Sequence, residues 1–170
     1  MGFYVRLLGG AVMANRYLLP VYKEIYGEDF DYSKFENRLE MQKAIYLLQD
    51  MGVPVGDYGF RWYLHGPYSQ SLQNDMYYEG GNECVPLTWS KEYADGFKKL
   101  REIVDSKERR NYTVAQWVEC LASIRYLREN VLSFKASDEE VISELVRRKE
   151  HLNNKEANLA ACRSLRKLFS

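Results

Sequence analysis

Residues 60–69, Phe60-Arg61-Trp62-Tyr63-Leu64-His65-Gly66-Pro67-Tyr68-Ser69, read as a short aromatic strand running into a Gly-Pro corner, with a helix starting at once. Phe60 to Leu64 carry the bulky side chains favoured on a pleated surface. Pro67 stands where a first helical residue would, since its missing N–H costs nothing there. A helix over ~67–79 is therefore expected, with Tyr68, Leu72 and Met76 facing inward and Gly80-Gly81-Asn82 stopping it. The corner is also where a guanidinium, Arg61, meets one of only two histidines, His65.

Upstream, Leu8, Val12, Asn15, Leu19, Tyr22 and Tyr26 recur at helical spacing and predict a helix over ~8–26 that Gly27 ends. Pro20 should kink it or start a second piece. A second helix over ~36–51 presents Met41, Ala44, Ile45 and Leu48 as one stripe, with Gly52 as the residue after its cap. Val53 to Gly59 is a turn-rich connection. Downstream of the corner, Cys84 to Thr88 is expected as a second short strand pairing with the first, held to an edge by Pro86.

The second half reads as helical throughout. Tyr93, Phe97, Leu100 and Val104 mark a helix of ~91–106 capped by Ser90. Thr113 with Gln116, Ser137 with Glu140, and Asn153 with Glu156 are three capping-box patterns, each ahead of an apolar helical stripe. The expected fold is a single, mainly α domain of about seven helices with a small two-stranded β element. Residues 1–35 form an N-terminal helical extension, 36–88 a helix–strand–helix–strand unit of winged-helix-like order, and 89–170 a helical bundle.

Composition bounds the function. With 170 residues and 46% apolar content the chain can bury a substantial core. Lys+Arg and Asp+Glu both number 24, so no global attraction to nucleic acid follows. The first half is net acidic and the second net basic, a polarity that solvated helix faces also produce. Cys84, Cys120 and Cys162 are far apart, with no CxxC pair and no Cys/His cluster at zinc spacing. Reduced packing cysteines, no metal and no cofactor are expected. No apolar run approaches the ~20 residues of a membrane span. Met1 to Ala14 is broken by Arg6 and Gly9-Gly10 and lacks a basic start, so no signal peptide is expected and the cytoplasm is the default.

Catalytic sets are not apparent. Cys84 with His65, or a serine with His65 and Asp75, can be paired on paper, but no GxSxG elbow or cysteine signature supports either. Gly9-Gly10 and Gly80-Gly81 are isolated pairs without a phosphate-loop pattern. The helix of ~67–79 offers Gln70, Ser71, Gln73, Asn74 and Asp75 to base edges, the basis of an alternative reading as a DNA-binding regulator. It has no Lys or Arg, and cations normally supply much of the affinity for phosphate.

The fourteen tyrosines are the stronger signal, with Tyr63, Tyr68, Tyr77 and Tyr78 gathered about the corner. Tyrosine offers contact area at low entropy cost, which suits a protein-binding face; half-buried core tyrosines are the competing explanation. Arg61, Tyr63, His65, Tyr68, Gln70 and Asn74 are the candidate partner-binding residues, with Trp62, Gly66, Pro67 and Ser69 forming the structural corner.

Leu39-Glu-Met-Gln-Lys-Ala-Ile-Tyr-Leu-Leu-Gln49, followed by Phe60 to Ser69, Leu72 and Asp75, resembles the "QKLxYxLQ … F … HGPYSxxLxxD" pattern of uncharacterised, phage-associated bacterial proteins. Those proteins are related to the Panacea (SocA-like) antitoxin domain. Trp117 to Leu127, Asp138 to Val146 and the terminal helix look like the tail of the same group, so the resemblance covers roughly residues 38–169. It implies a mostly helical fold and, for the antitoxin branch, direct neutralisation of a toxin by protein–protein contact, sometimes with delivery to a protease. No catalytic residues come with it. Residues 1–35 lie outside the pattern, and the long helical tail belongs to the uncharacterised branch. The expected function is a non-enzymatic interaction module whose partner is a protein such as a toxin; nucleic acid is the lesser candidate and no membrane is involved.

Overall fold

The structure, a computed structural model, describes residues 17–170. The part of the expected first helix before Tyr17, with Asn15, lies outside the described residues. Seven helices follow in order: α1 (Leu18–Tyr26), α2 (Phe35–Asp50), α3 (Gln70–Glu79), α4 (Lys91–Val104), α5 (Val114–Asn130), α6 (Asp138–Arg148) and α7 (Lys155–Leu168). Between α2 and α3 lies a hairpin of β1 (Arg61–Tyr63) and β2 (Gly66–Tyr68). The chain is mainly α with a small β element, as expected.

α5 is the central post. Trp117, Val118, Cys120, Leu121, Ala122, Ile124 and Leu127 bury almost every direction of it, and it packs on α2, α6, α7 and β2. A helix apolar on all sides belongs inside a core. α2 is its main neighbour and is as thoroughly enclosed, Met41, Ala44, Ile45, Leu47 and Leu48 being inaccessible. α4, α6 and α7 bury one face each and close the bundle from outside, Phe97, Leu100, Val141, Leu145 and Leu165 pointing inward.

Local signals set the helix ends. Thr113 with Gln116 and Ser137 with Glu140 form complete capping boxes, each side chain reaching the other residue's backbone N–H. Gly52 is left-handed (φ 85°) and closes α2 as a Schellman motif, with Gly52 N–H donating to Gln49 O (3.1 Å) and Val53 N–H to Leu48 O (2.9 Å). Gly27 (φ 72°) ends α1, and Pro20 sits in that helix's first turn, where no donor is missed. Two caps differ from expectation. Asn154, not Asn153, caps α7 through Ala157 N–H, and the Ser90 side chain makes no capping bond although it precedes α4.

The corner differs most. Pro67 does not open a helix; it lies in β2, paired antiparallel with Trp62, while Tyr63 faces Gly66 and Arg61 faces Tyr68. Gly66 adopts φ 83° after the Leu64–His65 turn, the left-handed step that lets a non-glycine turn join a hairpin. A methyl group there would meet Ser123 Oγ on α5 at 2.3 Å, so glycine also permits the close approach. Helix α3 starts only at Gln70, after Ser69 caps it by accepting from Leu72 N–H. Residues 84–88 stay outside this sheet. Among the described residues, 84–88 carry a single bridge position, Leu87, and do not pair with β1, so the expected helix–strand–helix–strand order is corrected to helix–hairpin–helix over the described residues.

Candidate functional site

The hairpin is fastened to the bundle through its backbone. Gln42 of α2 forms a two-point bond with Ser69, donating from Nε2 to the carbonyl (2.8 Å) and accepting from the N–H at Oε1 (2.9 Å). One helical face away by seven residues, Gln49 repeats the arrangement on Tyr58 with two bonds of 2.8 Å. Residues seven apart share a face two turns on, so α2 grips the chain both before and after the hairpin. Lys43 donates from Nζ to Pro67 O (2.7 Å), and Lys149, just past α6, donates to the carbonyls of Tyr63 (2.9 Å) and Leu64. Burial pushes the Lys43 ammonium down to about 7, against the pull of Glu119, and also lowers Lys149.

With its backbone held from behind, the hairpin turns side chains outward. Arg61 is exposed, Tyr63 is 58% and Leu64 68% accessible, and Trp62 alternates inward against Tyr126 at 5.7 Å. Arg148 and Lys149 stack over the Trp62 ring, at 5.3 and 5.0 Å. Tyr68 packs on Tyr63 (5.3 Å) and its hydroxyl donates to Gln70 Oε1 (3.1 Å); Gln70 in turn donates to Asn74 (3.0 Å). The structure thus joins Arg61, Tyr63, Tyr68, Gln70 and Asn74 along one rim, while Gly66, Pro67 and Ser69 are buried, as a structural corner requires.

Beside that rim lies a pocket of about 250 Å³ between α2 and the hairpin, with Phe35, Lys43, Tyr63, His65 and Tyr68 in its wall. Aromatic surface continues past it. Phe35 meets His65 at 5.1 Å, Arg38 lies over both Phe35 and Tyr32, and Tyr32 leads to Tyr77 (5.4 Å) and Tyr78, itself 74% exposed.

His65 faces two ways. Besides Phe35, it approaches Glu119 of α5, whose carboxylate is only 3% accessible, and His151 in the α6–α7 connection. The spacing along the chain concealed this set, because its members come from three separate elements. The catalytic pairings written from sequence are not assembled. Cys84 lines a different cavity with Lys23 and Trp89, and burial raises its thiol rather than activating it. Asp75 accepts from the Tyr58 hydroxyl (2.6 Å). All three cysteines are free, Cys120 and Cys162 buried.

Gln42, Lys43, Gln49 and Glu119 were not among the expected site residues. Gln42, Lys43 and Gln49 were legible only as part of the QKLxYxLQ resemblance, and Glu119 only as an acid within the apolar run of α5. Among the described residues no helix is long and apolar enough to cross a membrane. Comparison with family models, with curated proteins and with solved structures finds no match to the chain.

Proposed function

We infer that the chain is a non-enzymatic interaction module that binds a protein partner through the hairpin rim and the aromatic face beside it. One observation carries this reading: a run of exposed aromatic side chains, with Arg61 and Leu64, stands on a hairpin whose backbone is fixed by four long side chains behind it. A preorganised backbone lowers the entropy lost on docking, and tyrosine and arginine are the residues that dominate binding energy at protein interfaces. The pocket of about 250 Å³ offers a socket for one apolar side chain of the partner.

The resemblance to the antitoxin-related proteins supports the same reading on physical grounds. The segments that carry it, Gln42-Lys43…Gln49 and His65-Gly66-Pro67-Tyr68-Ser69, are the two sides of the clamp. On this reading the partner is a toxin-like protein and the module acts in the cytoplasm by occlusion. α3 brings no Lys or Arg to the face, so duplex DNA is the less suited ligand.

The test is affinity capture from the native cell with the wild type and with Arg61→Ala/Tyr63→Ala. Both residues are exposed, so stability should move by no more than about 0.5 kcal/mol. The expected result is a partner retained by the wild type and lost by the variant at unchanged Tm. Identical capture by both proteins would dismiss the rim as the binding face.

A further inference from the structure

We propose that His65, Glu119 and His151 bind one zinc ion, which pins the hairpin turn to α5 and to the α6–α7 connection. Glu119 Oε1 lies 3.1 Å from His151 Nε2 and 3.5 Å from His65 Nδ1, and all three ligand atoms fall within 4.8 Å of one another. Tetrahedral zinc with bonds near 2.0–2.1 Å holds its ligand atoms about 3.3 Å apart, and the two measured separations bracket that value. The His65 contact is too long for a hydrogen bond. Its Nδ1 is buried and has no hydrogen-bond partner, although it is aimed at the carboxylate. A cation between them would satisfy both.

Burial and charge agree with this. A carboxylate with 3% accessibility needs a partner of opposite charge, and a bound metal is one way of supplying it. The ammonium groups of Lys43 and Lys149 are near enough to feel the Glu119 charge, but their hydrogen bonds go to Pro67 O and to the Tyr63 and Leu64 carbonyls. His151 is therefore the hydrogen-bond partner of the carboxylate in this pocket. Both imidazoles are roughly two-fifths accessible, which gives an ion a route from solvent to the buried carboxylate. Two imidazole nitrogens with one carboxylate oxygen suit zinc over calcium or magnesium, which take oxygen ligands. Three protein ligands leave one coordination position for water.

The experiment is a titration of metal-free protein with Co(II), read by the visible d–d bands of a tetrahedral site, together with metal analysis after dialysis against Zn(II). The wild type and Cys84→Ser should each bind one equivalent, excluding the accessible thiol as a ligand. His151→Ala, at a half-exposed position and with its helical circular dichroism intact, should bind more than about a hundredfold more weakly. Glu119→Gln should behave alike, and at a hundredfold excess over Kd zinc should raise the wild-type Tm by about 5–10 °C. Folded wild type that shows no tetrahedral band and retains no zinc would overturn the proposal. So would binding that His151→Ala leaves unchanged. Neither result bears on partner capture by Arg61 and Tyr63.

Discussion

The bundle around α5 and the hairpin in front of α2 are held by different forces. Around α5 the buried contacts are mainly apolar, with Trp117 fully enclosed and its indole N–H donating to Ile103 O (2.9 Å), and the ion pairs of Arg125 with Asp50 and Arg128 with Asp138 sit toward its C-terminal end. At the hairpin the fastenings are polar and reach backbone atoms: two glutamines and two lysines hold Tyr58, Tyr63, Leu64, Pro67 and Ser69. A surface held by its own side chains spends them on packing. A surface held by its backbone keeps them for display, which is why the hairpin rather than the bundle is the candidate binding face.

Substitutions on the two sides of this contrast should separate cleanly. Trp117→Ala removes a buried aromatic side chain and should lower the unfolding free energy by about 3–5 kcal/mol in a denaturant titration, partner binding following only as the folded fraction falls. Gln42→Ala should cost less, about 2–3 kcal/mol, because it strands the buried N–H and carbonyl of Ser69. Its effect on partner capture should nevertheless be the larger of the two at a temperature where both variants are folded. Equal losses of capture would mean that the clamp contributes stability and nothing more.

Lys43 gives a finer probe. Its folded value, about 7, lies below the ordinary lysine value near 10.5, so between these limits the unfolded chain holds more protons. Stability should therefore rise as pH climbs from about 7 and be flat in this respect below it. Over pH 7–9 the gain is on the order of 2–3 kcal/mol at most. Lys149 contributes in the same direction. Thermal melts in chelator should show that limb in the wild type and a flatter one in Lys43→Met; an unchanged slope would mean that the Lys43 amine keeps its proton in the folded protein.

The two regions were also unequally legible. Helix ends in the second half are written in short-range chemistry, so Thr113/Gln116 and Ser137/Glu140 could be read directly and both boxes form. The Gly52 cap was legible for the same reason. The corner was not, because Pro67 satisfies two local rules at once. A residue without an N–H suits a first helical turn, and it suits an edge strand equally well. What decides between them is long-range: Gln42 takes the Ser69 backbone and Lys43 takes the Pro67 carbonyl, 27 and 24 residues away. The stripe Met41, Ala44, Ile45 and Leu48 assigned α2 one buried face, whereas Gln42 and Lys43 are buried too. Glu119 was hidden in the same way, as a lone acid in the apolar run of α5 whose histidine neighbours lie 54 and 32 residues distant. Of the expected partner-binding residues, Arg61, Tyr63, Gln70 and Asn74 lie exposed, and Tyr68 and His65 stand partly covered beside them.

Site-specific photo-crosslinking in the native cell tests the display of the hairpin most directly. A photoreactive side chain is placed at Tyr63, and in a separate protein at the exposed Lys98 of α4, a helix packed on α1, α2, α5 and α7. One discrete protein adduct is expected from position 63, abolished by Arg61→Ala, and none of the same mass from position 98. The same adduct from both positions, or none from position 63 in folded protein, would contradict it.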